Sequence, residues 1–134
     1  MKALLLLALA LLLSPFSAQA ARHTPEYNCN VALGKVGMPQ GPMAIPREAT
    51  QALRDLGYQI TSEYSADLFL WIDADCTLGP VGSICTARAK LTDLITREVV
   101  AEATGAPVAA FMVYSVNAES AVAALPRCEE LSRN

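Results

Sequence analysis

"DLFLWIDADCTLGPVGSICTARAKLT", residues 67–92, contains two alternating stretches on either side of a Gly- and Pro-containing tip, and the way they pair decides the sheet. In Asp67–Cys76 one face carries Leu68, Leu70, Ile72, Ala74 and Cys76 and the other carries Phe69, Trp71, Asp73 and Asp75, because successive strand residues point to opposite sides. In Cys85–Thr92 the residues Cys85, Ala87, Ala89 and Leu91 share a face in the same way. Antiparallel pairing with Cys76 opposite Cys85 sets Ala74 against Ala87, Ile72 against Ala89 and Leu70 against Leu91, an apolar face throughout. On the reverse face Asp73 then meets Arg88, an expected ion pair, and Trp71 meets Lys90, an expected cation–π contact. A slip of one residue scrambles both faces, so the pattern supports a single register.

That register also ranks the disulfides. The chain has four cysteines, Cys29, Cys76, Cys85 and Cys128, and four cysteines allow three pairings. The hairpin favours Cys76–Cys85 and leaves Cys29–Cys128 to tie the first element to the last, closing a long loop that restricts the unfolded chain by about 4 kcal/mol. A redox pair is expected much closer, as Cys-x-x-Cys. Zinc needs further ligands, and the only histidine is His23, outside any ligand spacing. Asp73 and Asp75 lack the longer oxygen series, Gly and Glu of an EF-hand. No metal or other cofactor is expected.

The N-terminus suits an exported chain. Met1-Lys2, an apolar run from Ala3 to Leu13, Pro15 and Ala18-Gln19-Ala20 form a secretory signal with cleavage expected after Ala20. Residues 21–134 then form one domain in an oxidising compartment, where an even cysteine count reads as a disulfide framework. No second apolar run reaches the roughly twenty residues of a spanning helix, so no stable membrane insertion is expected. The net charge is −3, and loss of Lys2 with the leader makes it more acidic. Without a Lys/Arg cluster there is no footprint for nucleic acid.

Around the hairpin, Tyr27–Leu33 alternates weakly and reads as a first strand, and the stretch from Gly34 to Met43, rich in Gly and Pro, reads as a long loop. Pro46 opens a helix over Arg47–Leu56, with Ala49, Ala52, Leu53 and Leu56 as its apolar stripe and Gly57 as its stop. Tyr58–Thr61 is a short strand, Asp93–Arg97 a turn and Glu98–Thr104 its return strand. Val108–Val116 is apolar almost throughout, and an extended segment is favoured over a buried helix. Asn117 caps a last helix with Ala121, Val122, Ala124 and Leu125 on its stripe, and Cys128 anchors it. The expected fold is α+β: an antiparallel sheet of three to five strands, two helices on one face and two disulfides.

The order "RDLGYQI", "SADLFLWIDA", "ARAKLTDLITREVVAEA", "NAESAVAAL" resembles small uncharacterised exported proteins and lipoproteins of Gram-negative bacteria, over residues 46–125. The resemblance implies a helix, a Gly-Tyr strand, an Ala-Asp strand and a hairpin with an Asp-x-x-Thr turn, and a periplasmic location. Many relatives carry a lipid-bearing Cys after the signal, and this chain has Ala21 there.

Catalytic parts are scarce. Gly-x-Ser-x-Gly is absent and the cysteines are expected to be oxidised, which removes Ser-His and Cys-His chemistry. A carboxylate-only hydrolase would draw on Glu63, Asp67, Asp73 and Asp75. The reading reached is a non-catalytic soluble periplasmic protein that binds an unidentified envelope or secreted protein, with an inhibitor or immunity protein against a hydrolase or toxin as the alternative. Its expected partner surface is Phe69, Trp71, Asp73, Asp75, Arg88 and Lys90. The tip Thr77–Ile84 and the loop 34–46 are candidate wedges for an inhibitor.

Overall fold

The computed structural model describes residues 27–131. The expected leader and His23 lie outside them. The elements are β1 (Asn30–Met38), β2 (Gly41–Ala44), α1 (Arg47–Asp55), β3 (Gln59–Ile60), β4 (Leu68–Gly79), β5 (Gly82–Asp93), β6 (Val99–Thr104), β7 (Val108–Ala110) and α2 (Ala118–Ala123), followed by a 3-10 turn at Cys128–Glu130.

The β4–β5 hairpin has the expected register at every position, from Leu68 opposite Asp93 through Cys76 opposite Cys85. It runs further than its alternation indicates, to a two-residue turn at Pro80-Val81 between Gly79 and Gly82. Both expected disulfides, Cys76–Cys85 and Cys29–Cys128, are formed.

The sheet differs from the expected one in two respects. It has seven strands, and it is mixed: β1 pairs parallel with both β4 and β3, while the remaining pairs are antiparallel. The count rises because each outer edge is shared. β3 and β2 line opposite ends of β1, and β7 and β6 line opposite ends of β5, so the sheet is five strands wide along β2-β1-β4-β5-β6. The parallel pairing arises because the chain leaves β1 and returns to β4 through β2, α1 and β3, and this connection carries it back to the starting end of the sheet.

The stretch read as a long loop is also a correction. β1 continues through Gly34 and Gly37 to Met38 and folds back as β2. A bulge between Leu33 and Val36 lets the strand change phase, so that Val36 and Met38 become buried after it. Alternation is interrupted at the bulge, and that is why the strand looked broken in sequence.

The core lies on the face bearing Leu68, Leu70 and Ile72 of β4 and Ala87, Ala89 and Leu91 of β5. Ala49 and Leu53 of α1 and Ala118, Ala121 and Val122 of α2 pack into the same cluster. α1 ends where Gly57 adopts φ +93, with the Gly57 N–H donating to the Arg54 carbonyl and the Tyr58 N–H to that of Leu53, the paired bonds of a Schellman stop. Tyr58 is then buried, and its hydroxyl donates to the Pro126 carbonyl at 2.8 Å. Burial, with the Glu130 charge nearby, pushes that hydroxyl well above the usual tyrosine range. The Asn117 side chain accepts from the Ser120 N–H at 3.0 Å as the cap of α2. Of Val108–Val116, only Val108–Ala110 is strand.

Candidate functional site

The face of β4 and β5 turned away from the helices carries the expected partner surface. Phe69 and Trp71 are half-buried there, although no helix among the described residues covers them. Their cover comes from β1: a Cβ at Gly34 would approach the Phe69 ring to 2.6 Å, and one at Gly37 would approach the Trp71 ring to 3.3 Å. The glycines that make β1 look like a loop are therefore the floor on which both rings lie.

The charges of this face are organised around Asp73. The Trp71 Nε1–H donates to Asp73 Oδ1 at 2.7 Å, and Lys90 Nζ reaches Asp73 Oδ2 at 2.9 Å. Burial alone would raise the Asp73 pKa, but the hydrogen bonds from Lys90 and Trp71, with the charges of Lys90 and Arg88, outweigh it and hold the carboxyl below its usual range. Arg88 stands opposite Asp73 as expected, yet its guanidinium pairs with Glu102 of β6 at 3.3 Å. The expected Asp73–Arg88 ion pair is thus replaced by a diagonal one, because β6 supplies Arg88 with an acid that the hairpin alone does not show. The Lys90 ammonium is engaged with the same carboxylate that anchors the indole N–H. The Asp75 side chain is exposed and forms no hydrogen bond or ion pair with the described residues.

The four carboxylates considered for hydrolysis are not gathered into one site. Asp67 accepts the backbone N–H groups of Asn28 and Asn30 at 2.7 and 3.2 Å, holding the turn where Cys29 has φ 63. Asp67 and Asp73 are separated by about 20 Å of extended strand. Asp93 instead organises the β5–β6 turn, its Oδ1 accepting from Ile95 and Thr96 N–H at 2.8 and 3.1 Å, as an Asp-x-x-Thr turn requires. Among the described residues no group of His, Cys, Asp or Glu is arranged to hold a metal ion, and no helix is long and apolar enough to cross a membrane.

A second surface lies at the far end of the hairpin. Ser83 is buried and its hydroxyl donates to the Val113 carbonyl at 2.9 Å, which draws the segment after β7 beneath the tip. Leu78, Val81, Phe111, Met112 and Val113 come together there, 78, 79, 70, 85 and 61% exposed. Between tip and segment runs a groove of about 320 Å³ walled by these side chains. Sequence reading marked the tip as a wedge and placed Phe111–Val113 within an extended apolar segment, without marking it as surface. Its only hint was that the apolar stretch outlasts a strand; hydrophobicity does not reveal which side of it will find cover.

No protein-family model matches the chain, and no match to it was found among the curated proteins. Among solved structures the chain is similar to the PelC dodecamer from Paraburkholderia phytofirmans, at 16% identity and a TM-score of 0.42, covering 77% of this chain and 89% of that one. A point variant of the same dodecamer gives 15% identity and a TM-score of 0.40, covering 78% of this chain and 85% of that one.

Proposed function

We propose that this is a non-catalytic periplasmic protein that acts by binding another protein of the cell envelope. One observation carries the reading: five large apolar side chains, Leu78, Val81, Phe111, Met112 and Val113, stand exposed together at one end of a chain whose core is otherwise well filled. A contiguous patch of this kind costs solubility and is characteristic of an interaction site. The export signal and the two disulfides support a periplasmic setting. The Trp71 row is a weaker candidate, since its rings are already seated on β1 and its main acid is neutralised within the protein.

The disulfide below the tip favours one narrower form of the reading, an inhibitor or immunity protein that inserts Leu78–Val81 into the cleft of a hydrolase or toxin. A rigid hairpin loses little freedom on insertion.

The test is quantitative capture from periplasmic extract by the mature protein and by a Phe111→Asp/Met112→Asp variant. Both side chains are exposed, so the melting temperature is expected to stay within a degree or two while the partner recovered with the parent protein is lost. Equal recovery by the two proteins would remove the apolar end from the function. A captured hydrolase whose activity falls on binding would select the inhibitor form.

A further inference from the structure

The hairpin tip and the segment around β7 form an end of the molecule that carries no charge. No Asp, Glu, Lys, Arg or His occurs in residues 76–87 or in residues 103–118. The two stretches are held side by side where Ser83, Ile84 and Cys85 pair with Ala110, Ala109 and Val108. The charges next along the hairpin lie behind the tip: Arg88 is bound to Glu102 at 3.3 Å, and Asp75 stands about 16 Å along the strand from Pro80.

Apolar side chains stand on both faces of this end. The ladder runs without slip, so Leu78 continues the row of Leu70 and Ile72, while Ile84, opposite Thr77, lies on the face of Trp71. Both are exposed, as is Val81 in the turn between them. A cavity of about 320 Å³ lies against Leu78 and a second of about 380 Å³ against Ile84 and Ala109, with Phe111 in the wall of each. The display is built rather than loose. Met112 has φ 62, a region that favours glycine, and the buried Ser83 hydroxyl holds the bend through the Val113 carbonyl. The Cys76–Cys85 bond closes the hairpin beneath the tip.

We propose that this end seats in a lipid surface, its apolar side chains entering the headgroup boundary of a membrane from which the rest of the chain projects. The proposal rests on the reading of this end as an interaction site, and it adds that the envelope protein captured there is met at a membrane. Two observations favour lipid as the immediate occupant. A protein contact surrounds its apolar centre with a polar rim; here apolar groups take both faces and the turn, and the Thr77, Gly79, Pro80 and Gly82 between them carry no charge. A bilayer is apolar on every side of such a wedge and needs no complementary charge. The second observation is depth. Interfacial elements enter by about 5–10 Å, less than the charge-free length of about 16 Å, so Asp75 stays in water. With Arg88 and Lys90 already paired to acids, the headgroups it suits are zwitterionic and the contact is insensitive to salt.

Flotation of the disulfide-intact mature protein with phosphatidylcholine vesicles tests the seating. The parent protein is expected to float with the vesicles at low and high salt alike. Leu78→Asp on one face and Ile84→Asp on the other are each expected to weaken vesicle binding about tenfold or more, since both place a charge at the boundary. Val81→Asp, in the turn and outside the ladder, is expected to do the same without lowering the melting temperature, which keeps the test open if a strand variant loses stability. A parent protein that stays in the aqueous phase would overturn the proposal. So would binding that needs phosphatidylglycerol and vanishes at high salt, or a loss confined to Leu78→Asp, the mark of a one-faced protein contact. Capture from membrane-free periplasmic extract separates the two readings: a parent that captures a protein there but ignores vesicles overturns the lipid contact alone, and one that binds vesicles but captures nothing overturns protein binding alone.

Discussion

The β4–β5 hairpin is one unbroken ladder, yet its two halves live in different surroundings. The base, Leu68–Asp73 with Arg88–Asp93, has β1 on one edge and β6 on the other and both helices over its apolar face. Among the described residues the distal half, Cys76–Ile84, has only β7 and the segment after it for company, and Leu78, Val81 and Ile84 are exposed. Large apolar residues occur in both halves. What differs is the number of neighbours, so the same residue types stabilise the fold at one end and are left for contact at the other.

The contrast can be tested from both sides. Of the two disulfides, Cys29–Cys128 spans a sequence separation of 99 and Cys76–Cys85 one of 9. Chain entropy then assigns about 4.7 kcal/mol to the first and about 2.7 kcal/mol to the second. Replacing each pair by Ser and measuring urea unfolding is expected to show the larger loss for the pair joining the termini of the fold. A larger loss at the hairpin would mean that the distal ladder depends on its bond to form at all.

The next effect compares one residue type at the two ends. Leu70→Ala removes a fully buried side chain and is expected to cost about 3 kcal/mol. Leu78→Ala, at 78% exposure, is expected to change stability by less than about 0.5 kcal/mol. Comparable losses at the two positions would show that the tip is covered in solution, and repeating the measurement over a range of protein concentrations would reveal a second copy as the cover.

The smallest effect belongs to Asp73. Its folded-state pKa is depressed, so its contribution is present above the ordinary carboxylate range, about pH 4, and disappears as the pH falls through the lower folded value. Because both partners of the Lys90 pair are partly exposed, Asp73→Asn is expected to cost less than about 1 kcal/mol at pH 7. Parent and variant should converge in stability under acid. A difference that persists below pH 2 would assign the role of Asp73 to its bond with Trp71 and not to its charge.

The structure also explains where sequence reading stopped. The hairpin register, the α1 stop at Gly57, the Asn117 cap and the Asp93 turn are set by residues close in sequence, and each was legible. The Phe69/Trp71 row was legible as a face, but the element that covers it was not, because the cover is backbone at Gly34 and Gly37, which have no side chain to signal packing. The Arg88 partner was missed for a related reason: Glu102 reaches it only when β6 docks on β5.

By itself the sequence determined the ribbon and the two helices and ranked first the cysteine pairing that the structure forms, since periodicity and capping residues act over short distances or through a single register. Only the tertiary structure decided that β1 lies parallel to β4, that a glycine-rich stretch is a strand beneath two aromatic rings, and that Phe111–Val113 lies open beside the hairpin tip. Those outcomes depend on which distant elements share an edge or a face. No local pattern records that choice, because burial belongs to the assembled packing and not to any one segment.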